Sequence, residues 1–203
     1  MFPFDVILFD VGGVLLTNGW DHRERAAVLD QFHLDRAEFE RRHPEANDAW
    51  ERDAINAAQY LDATVFYEPR SFSKDEFMSA IFAQSKALPN GALGILRELS
   101  ASHKYMLGVL NNEAREPNEY RFQNFGLREQ VDVAFSSCYM GLRKPGEAIY
   151  RRALDILGTP GQRTLFIDDR TENAAAAASA GMQAICFTGA DTLRSKLETL
   201  EVF

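Results

Sequence analysis

Cysteine is scarce. Cys138 and Cys186 are the whole complement, too few for a disulfide scaffold or a four-cysteine metal site. Cys186 lies in the apolar stretch Ala184-Ile185-Cys186-Phe187 and is expected to be a buried core residue. So little cysteine makes a reducing cytoplasm the expected compartment. Histidine is also sparse, and His33 and His103 have no partners at ligand spacing, so neither suggests a metal site. No apolar run approaches the ~20 residues that span a bilayer. The apolar start, residues 1–16, is interrupted by Asp5 and Asp10 with no basic residue ahead of it; it does not read as a secretory signal. Basic charge is in the minority, since 22 Lys and Arg face 30 Asp and Glu for a net charge of −8. That balance argues against nucleic acid and against an anionic membrane as partners. A small anionic ligand would need a local positive site, because the overall field repels it.

What is present suits one domain, or one domain carrying a small insertion: 203 residues, 46% hydrophobic and 26% charged. Short apolar runs recur at residues 6–9, 105–110, 131–135, 164–167 and 184–187, each reading as a strand buried on both faces. Helical segments fall at about residues 92–100, 116–124, 147–157 and 172–180. Gly126, Gly158 and Gly181 follow three of these segments, where a helix end tolerates a left-handed backbone. The alternation predicts an α/β fold, a doubly wound and mostly parallel sheet. Residues 18–87 interrupt it with helical spacing alone, at residues 22–32, 35–42, 46–61 and 74–86, the last capped by Ser73 and the set punctuated by Pro44, Pro69 and Pro89. This segment reads as a helical insertion, leaving residues 1–17 and 88–203 as the α/β core. The five alanines from Ala174 to Ala178 read as a helix lying close against the sheet.

Ligands of open α/β sheets bind beyond the carboxyl ends of the strands, so the residues after each apolar run are the candidates. The first run ends in Asp10-Val11-Gly12-Gly13. The Asp alone is an ordinary turn residue, but the glycine pair lets bare backbone approach an oxyanion. After the second come Asn111-Asn112-Glu113, polar turn residues or amide donors to an anion. After the third, Arg143-Lys144-Pro145-Gly146 precedes a helix, whose N-terminus adds positive potential beside Lys144. The fourth ends in Asp168-Asp169-Arg170, adjacent carboxylates that need a cation or generous solvent; hydrated Mg²⁺ is the economical choice and a polar rim the plain one.

Together these stretches resemble the haloacid dehalogenase superfamily, over essentially the whole chain. Phe9-Asp10-Val11-Gly12-Gly13-Val14-Leu15 resembles its first motif, Leu110-Asn111-Asn112 its second, Arg143-Lys144-Pro145 its third, and residues 166–173 its acidic fourth. The insertion is similar to the family's C1-type cap. The resemblance implies a phosphatase in which Asp10 attacks the phosphorus of a small phosphate ester and forms an aspartyl-phosphate. It implies Mg²⁺ held by Asp10, the Gly12 carbonyl and Asp169, with Asp168 in support. Lys144 would neutralise charge, while Asn111, Asn112 and Gly13 would join it in binding the phosphoryl group.

Two departures stand out. Family phosphatases commonly carry a second Asp two residues after the nucleophile as general acid and base, and this chain has Gly12. Its loss implies a rate penalty of ~10²–10⁴-fold, unless Glu113, His22 or Asp21 substitutes. Asn111 replaces the usual hydroxyl. A phosphate-binding pseudo-enzyme and a phosphotransferase are therefore the alternatives; a dehalogenase fits less well with the acid pair. Trp20 and His22 are placed at the hinge into the cap and Trp50, Phe66 and Phe77 in its core, with Arg41-Arg42-His43 as a solvated helix end or an anion contact.

Overall fold

The computed structural model describes residues 3–203. Five parallel strands form one sheet in the order β3-β2-β1-β4-β5: β1 Val6–Phe9, β2 Met106–Asn111, β3 Val133–Ser136, β4 Thr164–Asp168 and β5 Gln183–Cys186. The expected α/β class is what the chain adopts. β1 is central and buried on both faces. Its alternate side chains serve two cores, as period-two geometry requires. Ile7 and Phe9 pack with Leu96 and Leu99 of α5 (Leu93–Ser102) and with Leu193 and Leu197 of α10 (Ala190–Thr199). Val6 and Leu8 pack with Ile149 and Ala153 of α8 (Glu147–Leu157) and with Ala177 of α9 (Thr171–Ser179). The alanine tract is thus a helix laid on the sheet, where small side chains permit close approach.

Register places the site. Phe9 is level with Val109 on one side and Ile167 on the other. The residues that follow, Asp10, the end of β2 and Asp168, therefore emerge at one edge.

Four helices lie between β1 and α5: α1 His22–Gln31, α2 Arg36–Glu51, α3 Ala57–Thr64 and α4 Lys74–Phe82. They enclose a core of their own around Phe39, Trp50, Tyr60 and Phe77. Trp50 and Phe77 are buried there, with Phe66 half-buried against them. Ser73 caps α4 as expected, accepting from Glu76 N while Glu76 reaches back to Ser73 N.

Pro44 does not end a helix. α2 runs through it, although an interior proline costs ~3 kcal/mol. Phe39, His43, Ala46 and Trp50, spaced four, three and four residues apart, form one buried stripe that holds the helix together. The break comes instead at residues 52–56, where Asp53 has φ +61° and Asn56 caps α3. The single helix expected over 46–61 is therefore two. His43 is consequently buried in mid-helix rather than at a solvated end, while Arg41 and Arg42 both pair with Glu38. Cys186 is half-buried, not core, because it ends the edge strand β5 and its sulfur lies 3.6 Å from Thr171 Oγ1. α10 and the short α7 (Ser137–Met140) had no counterpart in the sequence reading. No helix among the described residues is long and apolar enough to cross a membrane.

Candidate active site

Asp10 follows β1 directly, its N–H donating to Ile167 O and its Oδ1 accepting from Val11 N at 2.8 Å. Lys144 arrives from the loop between α7 and α8. Its backbone is clamped at two points by Asn112, whose Oδ1 accepts from Lys144 N (2.8 Å) and whose Nδ2 donates to Lys144 O (2.9 Å). The Lys144 ammonium then lies 2.9 Å from Asp10 Oδ1 and 2.6 Å from Asp168 Oδ2. Burial disfavours its charge, but the two carboxylates outweigh burial and hold its pKa above the ordinary lysine value. Asp168 is wholly buried and accepts from Arg170 N (2.8 Å) and Asn173 Nδ2 (3.0 and 3.1 Å). Asn173 is a structural support that the sequence reading did not single out.

Asp10, Asp168 and Asp169 bring carboxylate oxygens within 4.8 Å of one another. Burial pushes Asp10 up to about 7 and raises Asp169 as well, against the counter-pull of Lys144. Asp169 Oδ1 is buried with no hydrogen-bond partner. A hard cation among these oxygens satisfies that orphan and keeps the carboxylates ionised, so the residues fit Mg²⁺.

Gly13 makes the cluster possible. Its φ is +71°, and a Cβ there would lie 2.2 Å from Asp169 Oδ2. Gly13→Ala is therefore expected to displace the Asp169 carboxylate and weaken Mg²⁺ binding by about 10–100-fold. Titrating metal against thermal stability would measure this; unchanged affinity would remove Asp169 from the ligand set.

Asp10 opens this cluster onto a cavity of about 670 Å³ between the sheet edge and the inserted helices. Asp10, Gly12, Asn112, Glu113 and Lys144 face it from the core, and Trp20, Arg25, Glu40 and His43 from the insertion. Asn111 does not line it. Its Oδ1 accepts from Ser136 Oγ (2.8 Å) and its Nδ2 donates to Asn118 Oδ1 (3.0 Å), so its amide is turned into the core between β2 and β3. Of the proposed acid–base substitutes, Glu113 is buried beside Asp10's loop, with Oε2 2.7 Å from Arg121. Asp21 is tied to Arg170 at 2.7 Å and caps α1, and the His22 ring is exposed at the rim.

The far wall is polar and preassembled. Buried Arg25 grips Glu40 bidentately (2.7 and 2.9 Å) and donates to Trp20 O. Trp20 Nε1 donates to the Tyr60 hydroxyl at 2.7 Å, and that hydroxyl lies 2.8 Å from His43 Nδ1. Burial pushes His43 down to about 4, so it is neutral at physiological pH. Sequence spacing carries no signal for this Trp–Tyr–His line, because its members come from three separate segments. Ion pairs stitch core to insertion around the rim: Arg143 to Asp48 (2.7 Å) and Glu51 (2.6 Å), and Arg115 to Asp53 (2.5 Å).

A family model described as haloacid dehalogenase-like hydrolase matches residues 4–181. The chain belongs to that family. Among curated proteins it is 38% identical over 76 residues to flavin mononucleotide hydrolase 1 of Arabidopsis thaliana, covering 37% of this chain and 31% of that one. It is 30% identical over 104 residues to sesquiterpene phosphatase astK of Aspergillus oryzae, covering 51% and 52%. The matched stretches thus span about a third of the first relative and about half of the second. In fold it is similar to a HAD family enzyme from Bacteroides thetaiotaomicron, solved in complex with magnesium and inorganic phosphate. That likeness has a TM-score of 0.73 at 21% identity and covers 92% of this chain and 95% of that one.

Proposed function

We propose that this protein is a Mg²⁺-dependent phosphatase acting on a small phosphorylated metabolite through an aspartyl-phosphate. The observation that carries the reading is a nucleophile-bearing carboxylate, Asp10, held by a buried lysine beside a carboxylate oxygen that lacks a partner. Asp10, Asp169 and the Gly12 carbonyl would hold the metal, with Asp168 in the outer shell. Bound there, Mg²⁺ would shield the entering phosphate from the nucleophile and steady the equatorial oxygens. Lys144 would place its positive charge between Asp10 and the incoming phosphoryl group, which gives an acidic protein its local anion site. Asn112 would act by fixing the Lys144 backbone, whereas the Gly13 N–H is already donated to Leu16 O at 2.8 Å. The relative named as a phosphatase and the structural neighbour solved with magnesium and phosphate support the same chemistry. The helical insertion would serve as the cap that selects substrate.

Gly12 favours a second reading, a catalytically impaired phosphate-binding protein or a phosphotransferase. Phosphate release from a panel of aryl and alkyl phosphate esters, with Mg²⁺ and with EDTA, separates the readings. Metal-dependent release is the expected result. Absence of release from every ester, with retained phosphate binding, would favour the binding protein.

A further inference from the structure

A side chain is missing at position 12, and the structure shows what stands in its place. A Cβ on Gly12 would face Asn18 Oδ1 at 2.9 Å and Arg121 Nη1 at 3.8 Å. Arg121 belongs to α6 (Arg115–Asn124) and is 2% exposed. Its Nη2 donates to Thr17 O and its Nε to Ser85 Oγ, both at 3.1 Å, one on each chain segment joining the insertion to the core. Gly19 leaves room for it, since a Cβ there would lie 1.7 Å from Nη2. The remaining nitrogen, Nη1, holds Glu113 Oε2 at 2.7 Å. The Glu113 carboxylate is therefore one guanidinium away from where a side chain at position 12 would begin, and it lines the cavity that Asp10 and Lys144 line.

We propose that Glu113, positioned by Arg121 beside the bare backbone of Gly12, donates and accepts the proton that the phosphatase reaction requires. The inference rests on the phosphatase reading. The backbone of Glu113 is pinned, its N–H donating to Ser137 Oγ at 2.9 Å, so the carboxylate projects from a fixed point. Burial pushes its carboxyl up to about 7 while Arg121 pulls it down, so both protonation states are present near neutrality. The other candidates lack this combination. Asp21 is held by Arg170. His22 is a rim residue, and His43 is neutral with no proton to surrender to an alkoxide at an imidazolium pKa.

The steps balance as follows. An Asp10 oxygen forms a bond to phosphorus while the bond from phosphorus to the ester oxygen breaks, and that oxygen keeps the electron pair and takes the Glu113 proton. The alcohol leaves. Glu113, now ionised, takes a proton from water as the water oxygen attacks phosphorus; the bond to Asp10 breaks, its electron pair returns to the Asp10 carboxylate, and phosphate departs with Glu113 again protonated.

The test is Glu113→Gln, which keeps a hydrogen-bonding partner for Arg121, measured with Mg²⁺ on one alkyl and one aryl phosphate. kcat/KM for the alkyl ester is expected to fall about 100-fold and for the aryl ester tenfold or less, since a phenolate departs without much protonation. With the aryl ester a burst of phenol should precede slow turnover, because water loses its base. Both esters report on the same folded fraction, so their ratio is indifferent to partial unfolding. An equal fall for both esters, or no fall, overturns the proposal and leaves Glu113 as a structural partner of Arg121. Wild-type protein that releases phosphate from neither ester would instead overturn the phosphatase reading itself.

Discussion

Asp10→Asn is expected to lower kcat by about 10⁴-fold or more, to the assay background, because the amide can neither attack phosphorus nor release an acyl-phosphate. The substitution is close to isosteric. Its amide oxygen can still accept from Val11 N, and Lys144 keeps its 2.6 Å partner Asp168. The fold is therefore expected to survive, with a stability change within about 1 kcal/mol. Neutralising the side chain gives up its attraction to Lys144, but it also removes the cost of burying a charge and the repulsion from Asp168, which together hold the Asp10 carboxyl above its ordinary value. Phosphate release and urea denaturation on the same preparation check both halves. A folded variant with activity within tenfold of wild type would end the covalent mechanism.

Strand ends were legible in the sequence because a parallel sheet gathers them at one edge. Asp10 and Asp168 each end an apolar run and are brought level by the register of β1 with β4, and Lys144 reaches both from the loop that follows β3 and α7. The orientation of Asn111 was not legible. Successive side chains of an extended strand point to opposite sides, so one residue decides between the core, which Asn111 faces, and the Lys144 loop, which Asn112 clamps. Pro44 misled for a related reason: local propensity marks a stop, but the stripe of Phe39, His43, Ala46 and Trp50 is a tertiary fact. Arg121 left no trace at all. Its burial depends on Gly19, Thr17, Ser85 and Glu113, which are up to about a hundred residues away in sequence. What sequence alone showed as a vacancy at Gly12 is, in three dimensions, a space bounded by an arginine and its carboxylate.

Lys144→Met carries the second large effect, on stability as much as on rate. Lys144 is the only side chain hydrogen-bonded or ion-paired to both Asp10 and Asp168 among the described residues, and it is buried with them. Methionine matches its length and retains packing near the Phe166 ring, 5.3 Å from the ammonium. The charge alone is then removed, leaving two buried carboxylates facing each other and Asp169. Breaking such a buried pair costs about 3–5 kcal/mol, and this loss is expected in EDTA at pH 8. The pH dependence has a definite sign. Without the lysine, burial and mutual repulsion raise the folded-state carboxyls above their unfolded values, so the folded state binds protons more tightly. The deficit should therefore shrink as pH falls below neutrality. Mg²⁺ at pH 8 should restore part of it, because a cation among the three carboxylates replaces the lost charge. Turnover should stay about 10²–10³-fold down even with metal, since nothing then screens the nucleophile from the phosphoryl group on the lysine side. Urea denaturation with EDTA and with Mg²⁺, at pH 6 and pH 8, reads all of this. A loss below about 1 kcal/mol in EDTA at pH 8 would mean that the carboxylates do not depend on Lys144 for their burial.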